Sequence, residues 1–493
     1  MRTKNDRNRR TTLNRREFLR LTGAGGTTIL LAACGAAPAA PVSEATQAPA
    51  GAATEAPAAV VTEAPVAPAA DGDKTVLSFW TPGGSDSYCQ NFGVIAADYE
   101  KRNPNIDIAE VQCGTGDQAF NEVLLARIAA GNPPDSTIVW DSPIALGARG
   151  SLEVLDGLMA TAEYAAKENW PAPVLASCVF GGKTYGLPVA AGTYAMWYNE
   201  EWFEKLGMKP ERENFPKTWD DMRQMSKEFT RWEGDKLMSV GYIPWGDQYT
   251  LPIWAASNGG KIYDAASQKY MIDSEQNIEM MQYAVDWIND EYRGDYQKLT
   301  TAGNWGMYAD DTLGAPGFQG GTVGMRLDGF WVVGDLYEVE PSFERWNVAS
   351  IPVGPSGDQP TSGYWPNWLV IPTGSQNRDE AFKWLDYMSG VGIEQWFKVV
   401  PDMPTNKKVS TELVPARAAE KRGEPFALEV ADFFRKQLDI ATPMWDSPVQ
   451  NFANDQLARA IEQIYNKQAT PKDALAEAQK ACQAELDKVL QSL

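Results

Sequence analysis

The sequence predicts an α/β protein of two domains, built around a parallel sheet. Apolar runs of strand length alternate with helically spaced apolar residues from Thr75 onward, and the links between them are short. Such an alternation forms a parallel sheet with right-handed crossovers. The body from about Lys74 to Leu493 is some 420 residues long. That exceeds the size at which one hydrophobic core keeps growing, so we expect two domains.

Five elements open this body. Strands are predicted at Thr75–Trp80, Ile106–Val111 and Ser136–Trp140. Between them, apolar residues at helical spacing predict two helices. These residues are Phe92, Ile95, Ala96 and Tyr99 in the first helix and Phe120, Val123, Leu124 and Ile128 in the second. The sequences Asn103-Pro104 and Gly131-Asn132-Pro133-Pro134 should end them.

Several side chains lie at or just past the carboxyl ends of these three strands. They are Trp80, Cys89, Cys113, Trp140 and Asp141. Ligands of parallel sheets bind beyond that edge, so Trp80 and Trp140 are candidates for ligand contact, with core packing as the alternative for each ring. The shared edge also allows Cys89 and Cys113 to pair in a disulfide.

Four later helices are predicted as scaffold. Thr218 and Asp221 form a capping box that opens one helix, and Ser274 opens a second. A third carries Ala381, Trp384, Leu385 and Met388 and is expected to end near Gly390. The last begins at Thr470-Pro471, a cap residue followed by proline at the first helical position.

The N-terminal segment has the pattern of a signal for export and lipid anchoring. Arg15-Arg16, followed by Phe18 and Leu19, resembles a twin-arginine signal, and Leu31-Ala32-Ala33-Cys34-Gly35 resembles a lipoprotein cleavage box. We therefore predict a signal peptide at 1–33 and a lipid on Cys34. Residues 34–72 are rich in Ala, Pro, Thr and Glu and should form a disordered tether. The protein is expected outside the cytoplasm, anchored to the outer face of the cytoplasmic membrane.

Composition excludes several classes of function. The chain has no histidine, which removes Ser-His-Asp and Cys-His catalysis and the commonest transition-metal ligand. Its formal charge is −21, and it becomes −27 without residues 1–33, which hold eight basic and two acidic residues. Such a surface repels nucleic acid. No Cys-x-x-Cys pair exists, and Cys482 shares a helical face with Leu475, Ala478 and Leu486, which predicts a core position. We expect no metal and no cofactor.

Four segments, in order along the chain, resemble one protein family. They are GKTYGLPVAAGTYAMWYNEEWFEKLGM followed by PKTWDDM, then GTVGMRLDGFW, then GYWPNWLVIPTGSQNRDEAFKWLDYMSG, and finally TPKDALAEAQ. Together they resemble the family 1 extracellular solute-binding proteins of ABC importers, the maltose-binding-protein-like group. The resemblance covers essentially all of residues 74–493.

The resemblance implies a two-lobed periplasmic-binding-protein fold of type II. Its chain crosses between lobes three times, near Pro188–Thr193, Tyr364–Leu369 and Ser389–Ile393. One lobe would comprise 73–189 and 368–389, and the other 193–363 and 392–493. The ligand would lie in the cleft between them, and hinge motion would close the lobes around it.

The resemblance also implies a sugar ligand, captured for an ABC permease and its ATPase by a monomeric protein. Sugar sites pair aromatic rings with carboxylate and amide groups. The candidate ligand-binding residues are Trp80, Ser85, Asp86, Trp140, Asp141, Thr193, Tyr194, Trp254, Asp328, Trp331, Tyr364, Trp365 and Asn367. One departure is notable, because some maltodextrin binders carry a glutamate where this chain has Gly192-Thr193. That argues against maltodextrin itself, but not against a sugar.

Three other functions compete with this interpretation. The cleft could bind a polyol, polyamine or peptide, since aromatic rings also hold cations. A glycosidase would need two paired carboxylates, and no motif singles out such a pair. The protein could also serve a sensor kinase, which the sequence does not distinguish from a transporter.

Overall fold

The computed structural model describes residues 74–491, apart from 84–85, 115–117, 246, 297–298, 300–316, 337–342 and 445–446. Its strands are β1 Thr75–Thr81, β2 Ile106–Cys113, β3 Ser136–Val139, β4 Val179–Phe180, β5 Lys183–Thr184, β6 Leu187–Asn199, β7 Arg231–Glu233, β8 Lys236–Ser239, β9 Tyr263–Asp264, β10 Lys269–Tyr270, β11 Met325–Gly329, β12 Trp346–Ala349, β13 Ser362–Val370, β14 Met403–Pro404 and β15 Ala441–Pro443. Its α-helices are α1 Asp86–Arg102, α2 Gln118–Ala129, α3 Pro143–Ala148, α4 Asp156–Met159, α5 Ala172–Ala176, α6 Glu200–Lys205, α7 Trp219–Phe229, α8 Leu251–Ser257, α9 Glu275–Glu291, α10 Val332–Asp335, α11 Arg378–Tyr387, α12 Ile393–Val399, α13 Ala416–Arg422, α14 Glu424–Asp439, α15 Gln450–Tyr465 and α16 Pro471–Gln491.

The first five elements agree with the sequence prediction. Strand β1 pairs in parallel with both β2 and β3. Helices α1 and α2 provide the crossovers and end at Arg102 and Ala129, close to the predicted stops. The predicted parallel sheet is therefore confirmed for this part of the chain.

Two long antiparallel strands run through the middle of the main sheet. The strand order is β11-β6-β13-β3-β1-β2, with β12 and β14 also paired to β6 and β15 paired to β13. All thirteen residues of β6 are buried. The predicted crossing segments Pro188–Thr193 and Tyr364–Leu369 lie on β6 and β13, which pair with each other.

Among the residues that the structure describes, the apolar core forms two clusters. One packs Phe79 and Leu369 of the sheet against α1 and α11. The other extends from Trp80 and Val139, on the opposite face of the sheet, to the tryptophans and phenylalanines of the later helices. Trp331 packs against both clusters, which places this residue at their junction.

The predicted helix starts are confirmed, and one predicted end is wrong. Thr218 and Ser274 cap α7 and α9 through backbone N–H groups three residues on, and α16 begins at Pro471. The helix expected to end near Gly390 instead continues as a π-helical turn, Met388–Gly392, into α12. Gly390 serves packing: a Cβ there would lie 2.2 Å from the Tyr164 ring. Glycine thus marks a close approach here and not a helix end.

The four cysteines of the described residues divide into one pair and two single thiols. Cys89, in the first turns of α1, and Cys113, at the end of β2, form a disulfide with their Cα atoms 5.8 Å apart. Cys178 and Cys482 are free and buried, and Cys482 lies in the core as predicted. Cys34, the signal peptide and the tether lie outside the described residues.

Removing the disulfide should destabilise the fold. The bond closes a loop with a sequence separation of 24, and the chain-entropy model assigns such a loop about 3.5 kcal/mol. We expect the Cys89→Ser, Cys113→Ser double variant to lose this amount in urea denaturation. Reductant should destabilise the wild type similarly and leave the double variant unchanged. An unaltered denaturation midpoint in the double variant would contradict the expectation.

Within the described part of the chain, no helix combines the length and the apolar character needed to cross a membrane.

Candidate functional site

Strand alternation sorts the predicted site residues of β6 and β13 onto two faces. Trp365 lies opposite Gly192, and Tyr364 lies opposite Thr193. Since successive residues of a strand point to opposite faces, Gly192, Tyr194, Trp365 and Asn367 share one face, which we call the front face. Thr193 and Tyr364 point to the back face.

Trp331 is seated on the front face by two glycines. A Cβ at Gly192 would lie 2.2 Å from Cζ3 of Trp331, and a Cβ at Gly329 would lie 2.0 Å from the same atom. Tyr194 meets the Trp331 ring edge to face, with centroids 5.2 Å apart. The ring stays partly exposed, so it presents a fixed apolar surface. At Gly192, where some maltodextrin binders carry glutamate, this chain therefore accommodates an aromatic ring.

Substituting Gly192 by alanine should displace that ring. The added methyl group would overlap Trp331, and overpacking of this kind costs roughly 1–3 kcal/mol. We expect a lower unfolding free energy for Gly192→Ala, together with weaker ligand binding by calorimetry. Gly157→Ala is the matched control, because a Cβ at Gly157 meets nothing within 4 Å. Equal behaviour of the two variants would contradict the seating of Trp331.

A second ring on the front face is held by a short hydrogen-bond chain. The indole Nε1 of Trp140 donates to Asn367 Oδ1 over 2.8 Å. The Asn367 amide donates to Oδ2 of the buried Asp402 over 3.0 Å. Asp402 Oδ1 also lies 3.2 Å from the position of a Cβ on Gly192. Trp140 and Trp331 thus converge on the same stretch of β6 and β13.

Trp365 and Tyr249 contact each other and form the third aromatic group of the front face. Their ring centroids are 5.5 Å apart in an edge-to-face arrangement, and Tyr249 is 38% exposed. The Asp247 carboxylate accepts the Tyr249 backbone N–H over 3.0 Å and so shapes this turn.

Asp141 accepts hydrogen bonds from the side chains of Asn121 on α2 and Asn451 on α15.

Carboxylates outnumber cations around the two site tyrosines. Burial raises the pKa of Tyr194, and the charges of Asp328, Asp247 and Asp402 raise it further against one guanidinium, that of Arg326. Burial also raises the pKa of Tyr249, as do Asp247, Asp141 and Asp455. Arg326 itself is paired, since its Nε lies 2.9 Å from Asp328 Oδ2. The charges that act most strongly on the two tyrosines are therefore mostly those of carboxylates.

Burial likewise raises the pKa of two site carboxyl groups. For Asp141 the hydrogen bond from Asn451 acts in the opposite direction. For Asp247 the Tyr249 backbone N–H and the Thr250 hydroxyl lower the pKa against the effect of burial. Both side chains are only partly buried, so they remain accessible to a ligand.

Four predicted site residues lie either in the apolar core or on the back face of the sheet. Trp254 is fully buried, with its ring centroid 4.6 Å from that of Trp245, so we remove it from the proposed site. Trp80 is 3% exposed and packs between Phe120 and the Arg127 guanidinium, which makes it a core residue. Thr193 is fully buried and points to the back face.

Tyr364, the fourth, borders a cavity on that back face. The cavity has a volume of about 470 Å³ and is lined by residues that include Ser177, Phe180, Tyr263 and Pro443. Trp368, on the same face of β13 as Tyr364, donates its indole N–H to Ser177 Oγ. Tyr364 is thus separated from Trp331 by the sheet.

The last two predicted site residues are Asp86 and Ser85. Asp86 is exposed in the first turn of α1, and its role stays a prediction. Ser85 lies outside the described residues. The structure adds residues that sequence reasoning missed, namely Asn121, Asp247, Tyr249, Arg326, Asp402 and Asn451. Tyr249 and Asp247 stand in a polar turn before Pro252, a signal that could have found them, whereas Asp402 follows a helix without any motif.

The arrangement suits binding. Partly exposed rings offer apolar faces, and carboxylate and amide oxygens beside them accept hydrogen bonds from hydroxyl groups. Among the residues that the structure describes, no three acidic or cysteine side chains are grouped so as to hold a metal ion.

Comparison with known families decides the class of protein. The family model described as bacterial extracellular solute-binding protein matches residues 91–393, more than half of the chain. The chain belongs to this solute-binding protein family. The resemblance predicted from the four segments is confirmed.

Relatives of this solute-binding protein have diverged in sequence. A binding protein of Brucella abortus is 28% identical over 54% of this chain and 60% of its own length. The arabinooligosaccharide-binding protein of Bacillus subtilis is 24% identical over 64% of this chain and 70% of its own. This solute-binding protein therefore matches about 60% of the length of the first of these relatives.

Solved structures agree with the predicted two-lobed α/β fold. The mannotriose-bound protein CpMnBP1 has a TM-score of 0.67 and 21% identity, with 83% of this chain and all of that one covered. Maltose-bound MalE3 of T. maritima has a TM-score of 0.65 and 19% identity, with 85% and 100% covered. The fold class is confirmed, and the positions of the interlobe crossings stay a prediction.

Proposed function

We propose that this protein captures an oligosaccharide or glycoside outside the cytoplasm and delivers it to an ABC-type permease. The observation that carries the proposal is the Trp331 ring, seated on Gly192 and Gly329 beside Tyr194 and left partly exposed. Trp140 and Trp365 add partly exposed rings on the same face. Relatives named for arabinooligosaccharide and lactose, and neighbours solved with mannotriose and maltose, support a sugar.

Hinge closure is the proposed mechanism. One lobe would comprise 73–189 and 368–389, and the other 193–363 and 392–493. The two hydrophobic clusters support a division of the core, and Trp331 packs against both. A ligand that touches both lobes stabilises the closed form by its greater affinity for that form.

A thermal-shift screen of mono- and oligosaccharides tests the proposal. A sugar present at 100 times its Kd should add about 2.7 kcal/mol of stability. For a body of this size that corresponds to a rise in Tm of about 3 °C, given an unfolding entropy of ~2 cal/mol/K per residue. The proposal fails if no carbohydrate raises the Tm.

A polyamine is the second candidate, and the carboxylates that act on the two site tyrosines favour it. The carboxylates around Tyr194 and Tyr249 would attract an ammonium group, and aromatic rings bind cations through their faces. Spermidine belongs in the same screen for this reason. A shift with spermidine and with no sugar would replace the sugar assignment.

We also propose that the protein is a lipid-anchored monomer without enzyme activity. The twin-arginine signal at 1–33, the lipid on Cys34 and the tether at 34–72 rest on sequence alone. Replacing Cys34 by serine should release the exported protein from the membrane fraction. For the enzyme alternative, the family and the named relatives are binding proteins, and we expect no turnover of chromogenic glycosides.

A further inference from the structure

The charges at the site differ in sign from what an acidic ligand would require. Asp141, Asp247, Asp328, Asp402 and Asp455 act on the two site tyrosines, whereas Arg326 is the guanidinium that acts on Tyr194. The Arg326 Nε is already 2.9 Å from Asp328. An acidic group on a ligand would therefore meet carboxylates and a cation whose charge is compensated.

Two of these carboxylates are placed to meet a ligand. Asp141 and Asp247 are partly exposed. Asp141 directly follows Trp140, whose indole bonds Asn367, and Asp247 accepts the backbone N–H of Tyr249, whose ring contacts Trp365. Asp141 accepts hydrogen bonds from the amides of Asn121 and Asn451, and Asp247 accepts them from the Tyr249 N–H and from the Thr250 N–H and hydroxyl. None of these donors carries a charge that would neutralise a carboxylate, and the Arg326 guanidinium that also acts on Asp247 is paired with Asp328.

We propose that the site selects glycans without acidic groups, and that Asp141 and Asp247 reject glycans that carry a uronate. This inference rests on the proposed function, since it divides sugars into two classes. Like charges brought together in a partly desolvated site repel strongly, and such repulsion is a common means of excluding a wrong partner. Neutral hydroxyl groups meet no such penalty and donate to the same carboxylates.

Matched neutral and acidic trisaccharides test the inference. The full-length protein is titrated by calorimetry at pH 7 with mannotriose against trimannuronate, and with galactotriose against trigalacturonate. In at least one pair, we expect the neutral sugar to bind and the acidic sugar to bind at least 100-fold more weakly. Acidic sugars that bind as tightly as neutral ones, or alone, would overturn the inference and leave the sugar function standing. If no member of either pair binds, the same comparison is made with the neutral sugar that gives the largest shift in the thermal screen and its uronate; equal binding of those two overturns the inference, whereas a screen without any sugar hit overturns the proposed function and the inference with it.

Asparagine variants test the assignment to the two residues. Asp141→Asn and Asp247→Asn keep the shape and the acceptor oxygen, so the affinity ratio within a pair should fall at least tenfold because the acidic sugar binds better. Asp235→Asn is the control, since Asp235 is 96% exposed and paired with Arg293 on the surface. A ratio that stays constant while both affinities fall would mark the residues as structural and overturn the assignment.

Discussion

Replacing Trp331 by alanine is expected to weaken sugar binding at least 100-fold. The ring is held against Gly192 and Gly329 and meets Tyr194 at 5.2 Å, so it presents a preformed apolar surface to a ligand. A rigid aromatic ring loses little conformational entropy on binding and buries a large area. A factor of 100 corresponds to ~2.7 kcal/mol, which is the range of a binding hot spot.

The unfolding free energy of Trp331→Ala distinguishes a ring that binds ligand from a ring that only packs in the fold. Trp331 is partly exposed, so its truncation should cost about 2 kcal/mol or less, below the value for a fully buried tryptophan. Trp232→Ala is the matched control, because Trp232 is also partly exposed but lies on the β7–β8 hairpin under the Arg293 guanidinium. Its loss should change stability and leave affinity unaltered. Unchanged affinity in Trp331→Ala would refute the assignment.

Replacing Trp254 by alanine is expected to cost 3–5 kcal/mol of stability, the range roughly observed for large-to-small core changes. The ring is completely buried. It stacks on the Trp245 ring with the centroids 4.6 Å apart, and its centroid lies 5.8 Å from that of Tyr242 and 6.1 Å from that of Trp219. A cavity inside this cluster cannot be filled by neighbours that are themselves large and rigid.

Urea denaturation with calorimetry separates this outcome from a ligand contact. Trp254→Ala should show a lower denaturation midpoint, while the folded fraction keeps its affinity. Trp254→Phe should recover part of the stability because the aromatic packing is partly retained. Loss of affinity at an unchanged midpoint would restore Trp254 to the site.

The sequence predicted those parts of the fold that depend on local patterns. The strands and helices from Thr75 to Val139 follow apolar spacing and stop signals, and the caps at Thr218 and Ser274 need only the next three residues. Gly390 shows the limit of such signals. Whether a glycine ends a helix or admits a neighbouring ring depends on Tyr164, more than 200 residues away in sequence.

Site residues were harder to predict because one position along a strand reverses the direction of a side chain. Thr193 and Tyr364 stand next to Tyr194 and Trp365, yet they point to the back face. Residue type does not help either, since a tryptophan serves equally in a core, as Trp254 does, and at a surface, as Trp331 does. Asp402 and Asn121 reach the site from distant segments, and no motif marks them.

The reactivity of the two buried thiols, Cys178 and Cys482, can be used to measure local unfolding of the protein. Both side chains are completely buried, and burial raises the pKa of each thiol, so neither is open to a reagent while its segment is folded. Cys178 precedes β4, and Cys482 lies on the last helix, so they sample remote segments. In a Cys34→Ser chain, labelling by a thiol reagent should proceed only as fast as each segment unfolds. Equal rates at both sites would indicate a single cooperative opening, and unequal rates would show which segment opens first.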